Sequence, residues 1–211
     1  MKKAFITIFL VLFFDQLLKI WIKTTMVLGQ EIPVLGDWFL LHFTENKGMA
    51  FGMEISGEWG KLLLSIFRII AIGVIGWYLL RIIHRQEKSG LIISISLIFA
   101  GAVGNMIDSA FYGMVFTESY HNVASVFPAD GGYSSFLHGK VVDMLYFPLV
   151  SGTYPHWLPL VGGDSFSFFR PVFNIADSAI TVGVFILLLF QRKFFPKEKD
   201  ETDRIESAET D

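Results

Sequence analysis

Four apolar runs divide the chain, at about 4–22, 62–83, 91–107 and 172–190. Each approaches the ~20 residues a helix needs to cross a ~30 Å hydrocarbon layer. The third is the shortest and is expected to stand nearly upright. Long mixed segments, about 26–61 and 109–171, separate the first run from the second and the third from the fourth. In the first of these, Phe39, Leu41 and Phe43 recur at period two, and Asn46-Lys47-Gly48 carries turn chemistry, so a small β element is expected there. The second is rich in Gly, Ser, Phe and Tyr, and Tyr146, Tyr154 and Trp157 suit a membrane interface. Its aromatic content favours a packed lobe over a loose loop.

The pattern predicts a mainly α membrane protein. Residues 1–195 form a four-transmembrane-helix bundle with a small β element and a long loop lobe on the outer face. Residues 196–211 form a charged tail, expected to be disordered in the cytoplasm. Lys2 and Lys3 before an apolar core imitate a signal peptide, but no small-x-small site follows Leu18 and the run continues through Lys19-Ile20-Trp21-Ile22.

Composition sharpens this picture. Hydrophobic residues make up 53% of the chain and charged residues 18%, the balance of an integral membrane protein. The net charge of −3 reflects acids concentrated after Lys197, so no basic surface points to nucleic acid. There are no cysteines, which excludes disulfides, thiolate metal sites and a cysteine nucleophile. With the N-terminus inside, ten Lys and Arg fall on the inner side: Lys2, Lys3, Arg81, Arg85, Lys88, Arg192, Lys193, Lys197, Lys199 and Arg204. Only Lys23, Lys47, Lys61, Lys140 and Arg170 fall outside, over much longer loops, so both termini are expected inside.

The candidate chemistry lies at one depth. At ~1.5 Å per residue, Asp15 sits roughly 17 Å from the inner edge, with Lys19 one turn further out. On the same scale Arg68 lies roughly 9 Å and Asp177 roughly 8 Å below the outer edge, and Asp108 closes the third run. Asp15 and Lys19 form an i, i+4 pair that can neutralise itself. Arg68 can snorkel outward, and Asp108 can fasten a helix end with Asn105. Asp177 has no basic neighbour within its own run, and a carboxyl so placed is a functional-site candidate. Its proposed partner is Asp143 in Lys140-Val141-Val142-Asp143. A proton or ion path would need polar groups through the full thickness, so clustering toward the outer leaflet favours a laterally entered site over a non-enzymatic transporter or lipid-binding scaffold using the same acids.

Other chemistries find little support. His121, His138 and His156 are scattered through one loop without metal-ligand spacing, and no Gly-x-Ser-x-Gly occurs. A dyad of a loop serine and Lys140 has no local motif behind it. Gly101-Ala102-Val103-Gly104-Asn105 lies within an apolar helix, where small residues permit close helix packing rather than phosphate binding.

Several motifs occur in order: Asp15-Gln16 with Lys19, Asn46-x-Gly48-x-Ala50-Phe51, Gly101-Ala102-x-Gly104-Asn105-x-x-Asp108, Val142-Asp143, and Phe173-Asn174-x-Ala176-Asp177. Spanning all four runs, they resemble the lipoprotein signal peptidases, the bacterial signal peptidase II family. The resemblance implies an aspartic endopeptidase of the bacterial inner membrane with its site on the outer, periplasmic side. Such enzymes remove signal peptides from prolipoproteins just before a diacylglyceryl-modified cysteine. Asp143 and Asp177 match the catalytic pair. Asp15, Lys19, Asn46, Gly48, Asn105, Asp108, Asn174 and Ala176 match positions that support the site or contact substrate. The resemblance implies no metal or cofactor. It implies membrane lipids and diacylglyceryl-prolipoproteins as partners, and globomycin-type inhibitors as ligands. The chain departs from the family at Ser109, where arginine is usual, and in added residues at Phe116 to Gly132 and Ser151 to Gly163.

Overall fold

The computed structural model describes residues 1–46, 58–148, 150–159, 161–168 and 171–195. Gly48, the turn it was assigned to, Arg170 and the tail 196–211 lie outside these residues. In chain order the elements are α1 (Lys2–Thr25), β1 (Glu31–Leu35), β2 (Phe39–Asn46), α2 (Glu58–His84), α3 (Ser89–Ile107), a π-helical turn (Asp108–Tyr112) and α4 (Gly113–Val115). They continue with β3 (Val141–Tyr146), β4 (Val150–Thr153), β5 (Ser165–Phe168), β6 (Val172–Phe173), α5 (Ile175–Leu189) and α6 (Gln191–Phe194).

Among the described residues, three helical stretches are long and apolar enough to cross a membrane: Lys2–Thr25, Gly60–His84 and Ser89–Val115. Their surfaces are inverted relative to a water-soluble bundle. On α1 the outward residues include Phe5, Phe9 and Phe13, stacked in sequence along one face, while Asp15, Lys19 and Lys23 are buried. A hydrocarbon solvent rewards that arrangement, because lipid satisfies apolar side chains and leaves polar ones only each other.

Two of the expected runs have different bounds in the structure. The third does not end at residue 107. The helix passes through the π-helical turn and on to Val115, so this stretch of 27 residues is the longest of the three candidate spans rather than the shortest. The fourth helix begins at Ile175, not at 172. Val172 and Phe173 are drawn into strand β6 because β3 offers backbone partners: Leu145 pairs with Phe173 and Tyr146 with Val172. This leaves α5 with 15 residues.

Helix α3 is the central post, packing against α1, α2 and α5. Its small residues make close approach possible. A methyl group at Gly101 would lie 2.3 Å from the Ala176 carbonyl oxygen, and one at Gly104 would lie 2.9 Å from Asp15 Oδ2. The sequence reading of these glycines as packing residues holds.

At one end of the helices sits an antiparallel sheet in the order β1-β2-β3-β6. The expected β element is therefore present as part of a four-stranded sheet, with a separate β4-β5 hairpin beside it in sequence. The period-two face of β2 is split by an irregularity between Leu41 and Thr44. Phe43 is buried in a core with Ile22, Met26, Tyr112, Phe116, Val142 and Met144, and Leu41 packs against it. Phe39 instead stacks on Phe147 at 4.6 Å between ring centres. That core joins the end of α1 to the sheet and to the turn after α3, which fixes β3 over the helix ends.

Candidate functional site

Asp177 is positioned by its own neighbourhood. Asn174 caps α5, its side chain accepting the Asp177 N–H at 2.9 Å. The Asp177 carboxylate in turn accepts the Asn174 N–H at 3.4 Å. This reciprocal box satisfies two unpaired helix-end donors and sets a carboxylate at the electropositive end of the helix. Half-buried, that carboxylate also accepts from Asn105 Nδ2 at 2.7 Å, which ties α5 to α3.

Asp143 is positioned by the sheet. It lies on β3 opposite Thr44 of β2, and only 4% of its surface is exposed. Asn174 Nδ2 donates to Asp143 Oδ1 at 2.7 Å, to Asn105 Oδ1 at 3.0 Å and to the Val142 carbonyl at 3.3 Å. One asparagine thus bonds both acids, Asp177 through its backbone and Asp143 through its amide. Burial, and then the neighbouring Asp177 charge, push the Asp143 carboxyl up to about 7; Lys19 and hydrogen bonds from Asn174 and Asn46 oppose the rise.

Beneath the two acids lies a buried polar layer. The Lys19 ammonium meets Asp15 Oδ2 at 2.8 Å, Asp108 Oδ2 at 2.9 Å and Asn105 Oδ1 at 3.0 Å. Three acceptors match its three N–H donors. Asp15 Oδ1 accepts the Ala176 N–H at 2.8 Å, at the start of α5. Asp108 does not act as a helix terminator, since the helix continues past it. Its Oδ2 accepts the Val142 N–H at 3.2 Å, so it fastens β3 one residue before Asp143. Gly139 helps: a methyl group there would lie 2.1 Å from the Asp108 carbonyl oxygen, so only glycine lets the chain entering β3 cross the helix so closely.

The sequence-derived residues therefore converge. Asp15, Lys19, Asn105, Asp108, Asn174 and Ala176 form one connected network that reaches Asp143 and Asp177, and Asn46 joins it at Asp143. Several participants were not singled out for the site. Gln16 Nε2 donates to Asp108 Oδ1 at 3.0 Å and its Oε1 accepts from the Tyr112 hydroxyl at 3.1 Å. A glutamine inside an apolar run, next to Asp15, was the available signal. Arg68 does not simply snorkel outward: its Nη1 donates to Ser109 Oγ at 3.1 Å. Lys140 is engaged in ion pairs with Glu45 at 3.0 Å and Glu118 at 2.9 Å.

Comparison with known proteins places this arrangement in context. The family described as "Signal peptidase (SPase) II" matches residues 7–193. A lipoprotein signal peptidase of Porphyromonas gingivalis (strain W83 among others) is 51% identical over 183 residues, covering 86% of this chain and 79% of the relative. One from Amoebophilus asiaticus is 39% identical over 200 residues, covering 92% and 80%. A solved structure described as a bacterial membrane enzyme superposes with a TM-score of 0.59 at 25% identity, covering 94% of this chain and 93% of the other. A second gives 0.57 at 26% identity, covering 90% and 92%.

Proposed function

This chain belongs to the signal peptidase II family, and from that premise we propose that it removes the signal peptides of diacylglyceryl-modified prolipoproteins as an aspartic endopeptidase, with Asp143 and Asp177 as the reacting pair. The observation that carries the pairing is Asn174, which bonds both carboxyls at once.

Peptide hydrolysis needs a nucleophile stronger than neutral water and a proton for the leaving amine. Two carboxyls in one desolvated site cannot both ionise cheaply, so the pair retains one proton. The ionised member takes a proton from water as it attacks the scissile carbonyl. The protonated member donates to the carbonyl oxygen, and proton return frees the amine. The retained proton belongs to the pair as a whole. The chemistry calls for no metal or cofactor.

The surroundings suit a lipid-bearing substrate. Phe173, directly before Asn174, stacks with Phe147, which stacks in turn with Phe39 and lies 6.1 Å from Trp38. Such a shelf fits the headgroup level of a bilayer. In this reading residues 1–195 are one membrane domain with a charged tail, four helices cross the inner membrane, both termini face the cytoplasm and the acids face the periplasm. At ~1.5 Å per residue α5 alone spans only about 22 Å. It would need the α6 turn, or a locally thin bilayer, to complete its crossing. The signal-peptide helix would enter sideways from the outer leaflet. A globomycin-type cyclic peptide would compete with substrate for the acid pair.

The test is turnover of a diacylglyceryl-cysteine peptide by purified protein in detergent. Asp143→Asn and Asp177→Asn are each expected to lose roughly 10³-fold or more, the scale for removing one member of a unit that acts together. Near wild-type turnover in either variant sinks the pairing. The pH profile supplies a second check. The Asp143 carboxyl is raised to about 7, so the pair keeps its proton below that pH and loses it above. Turnover is expected to fall on the alkaline side through pH about 7, and again in acid as the ionised member protonates.

A further inference from the structure

Resting on the acid-pair reading, we propose that Arg68 is a positioning residue for that pair: seated on Ser109, its guanidinium supplies the positive charge that faces Asp143 and Asp177 from the α2 side and so sets how much of the pair is ionised at working pH.

The argument starts from charge. Among the described residues, four carboxyls gather in the polar layer: Asp15, Asp108, Asp143 and Asp177. Lys19 is the one lysine there, and its three N–H donors meet Asp15, Asp108 and Asn105. It acts on Asp143 through space but directs no N–H at either member of the pair. Among the described residues the other cation beside this layer is Arg68, hydrogen-bonded to Ser109 next to Asp108 and within electrostatic reach of Asp177, Asp108 and Asp143.

Its placement is built rather than incidental. Lys61, Ser65 and Arg68 lie at i, i+4 and i+7 on α2 and share one face. Lys61 donates to the His138 carbonyl, Ser65 to the Leu137 carbonyl at 3.0 Å, and Arg68 to Ser109 Oγ at 3.1 Å. Ser109 Oγ donates in turn to the Asn105 carbonyl at 3.1 Å, so the seat is fixed to the residue that also holds Asp177. The rest of α2 turns Leu63, Phe67, Ile70 and Val74 outward. At the π-helical turn, consecutive residues receive cations from two different helices: Asp108 from Lys19 of α1 and Ser109 from Arg68 of α2. Widened π turns in helices frequently accompany functional sites.

The sign of the effect is definite. A nearby positive charge favours the ionised form of a carboxyl. Removing it raises both apparent pKa values of the pair, so both limbs of the pH profile move to higher pH. Arg68→Gln is expected to shift the profile up by about half to one pH unit. Its kcat/KM then falls several-fold more at acidic than at alkaline pH. Arg68→Lys keeps the charge and is expected to hold the profile near the wild-type position. Ser109→Ala loosens the seat and is expected to give a smaller shift in the same direction. A uniform loss in Arg68→Gln at every pH would mean a structural role only and overturn the proposal, as would a shift in Arg68→Lys as large as in Arg68→Gln. If Arg68→Gln does not accumulate, an unmoved profile in Ser109→Ala overturns it instead. Asp143→Asn and Asp177→Asn run in parallel separate the two ideas. If they stay active the acid-pair reading fails; if they are inactive while the Arg68→Gln profile is unmoved, this inference alone fails.

Discussion

Lys19 and Lys23 sit one turn apart on α1, and both are fully buried, yet their surroundings differ in kind. Lys19 is ringed by carboxylates and an amide from α1 and α3, and its network runs on to Asp143 and Asp177. Lys23 meets Glu45 of β2 and Ser119 Oγ at 2.9 Å, with the rings of Phe43, Phe116 and Tyr133 at 5.9, 5.5 and 5.0 Å. Glu45 is shared with Lys140, which also pairs with Glu118 and lies 4.9 Å from the Tyr133 ring. Burial depresses the Lys140 ammonium, but Glu118 and Glu45 outweigh it and hold its pKa above the ordinary lysine value. Burial pushes the Tyr133 phenol up, so the tyrosine stays neutral at physiological pH, and its hydroxyl accepts the Lys140 N–H at 2.7 Å.

The difference teaches what each buried charge is for. The first cluster is a scaffold of hydrogen bonds with one dominant cation, and it positions the proposed acid pair. The second is a clamp of alternating charges and ring faces. It fastens the lobe between α4 and β3 onto the end of α1, with backbone bonds from Leu28 to Ser119 and from Ala124 to Lys23 completing it. Redundancy separates them: Glu45 keeps Lys140 if Lys23 is lost, whereas Asp15 and Asp108 share only Lys19 as an ion-pair partner among the described residues.

Substitutions can test that contrast in order of expected size. Lys19→Met leaves two buried carboxylates without their cation and is expected to cost about 3–5 kcal/mol, with loss of turnover, read by thermal unfolding in detergent and the peptide assay. Lys23→Met removes charged hydrogen bonds but leaves Glu45 paired, so about 1.5–3 kcal/mol is expected, with turnover in the surviving folded protein largely kept. Should Lys23→Met prove the costlier of the two, the division into site scaffold and lobe clamp is wrong. Smallest is Glu118→Gln. Its side chain is 45% exposed, and solvent screening limits its pair with Lys140 to less than about 1 kcal/mol. A Tm drop comparable to that of Lys23→Met would show that the clamp depends on its exposed rim.

The contrast also marks how far the chain could be read in advance. Apolar runs, the i, i+4 pair Asp15–Lys19 and the small residues around Gly101 are local patterns, and local spacing determines what they do. The clamp could not be read so. Glu45, Glu118 and Lys140 lie in three separate segments, and nothing in their spacing announces a contact. Arg68 is a similar case: an arginine near a helix end can snorkel to solvent or turn inward, and the presence of Ser109 in the π-helical turn decides it. The third run looked short because Asp108 interrupts the apolar pattern. Its charge is instead answered by Lys19, Gln16 and Val142, and the helix carries on.

By itself the sequence determined that this is a membrane-type protein built on long apolar helices, because hydrophobic length depends only on residue order. Tertiary structure decided that Val172 and Phe173 leave the helix for the sheet, that Asp108 fastens β3, and that Asn174 bonds both Asp143 and Asp177. Those outcomes depend on which backbone donors and acceptors from distant segments are left to satisfy one another, and only the folded chain brings them within reach.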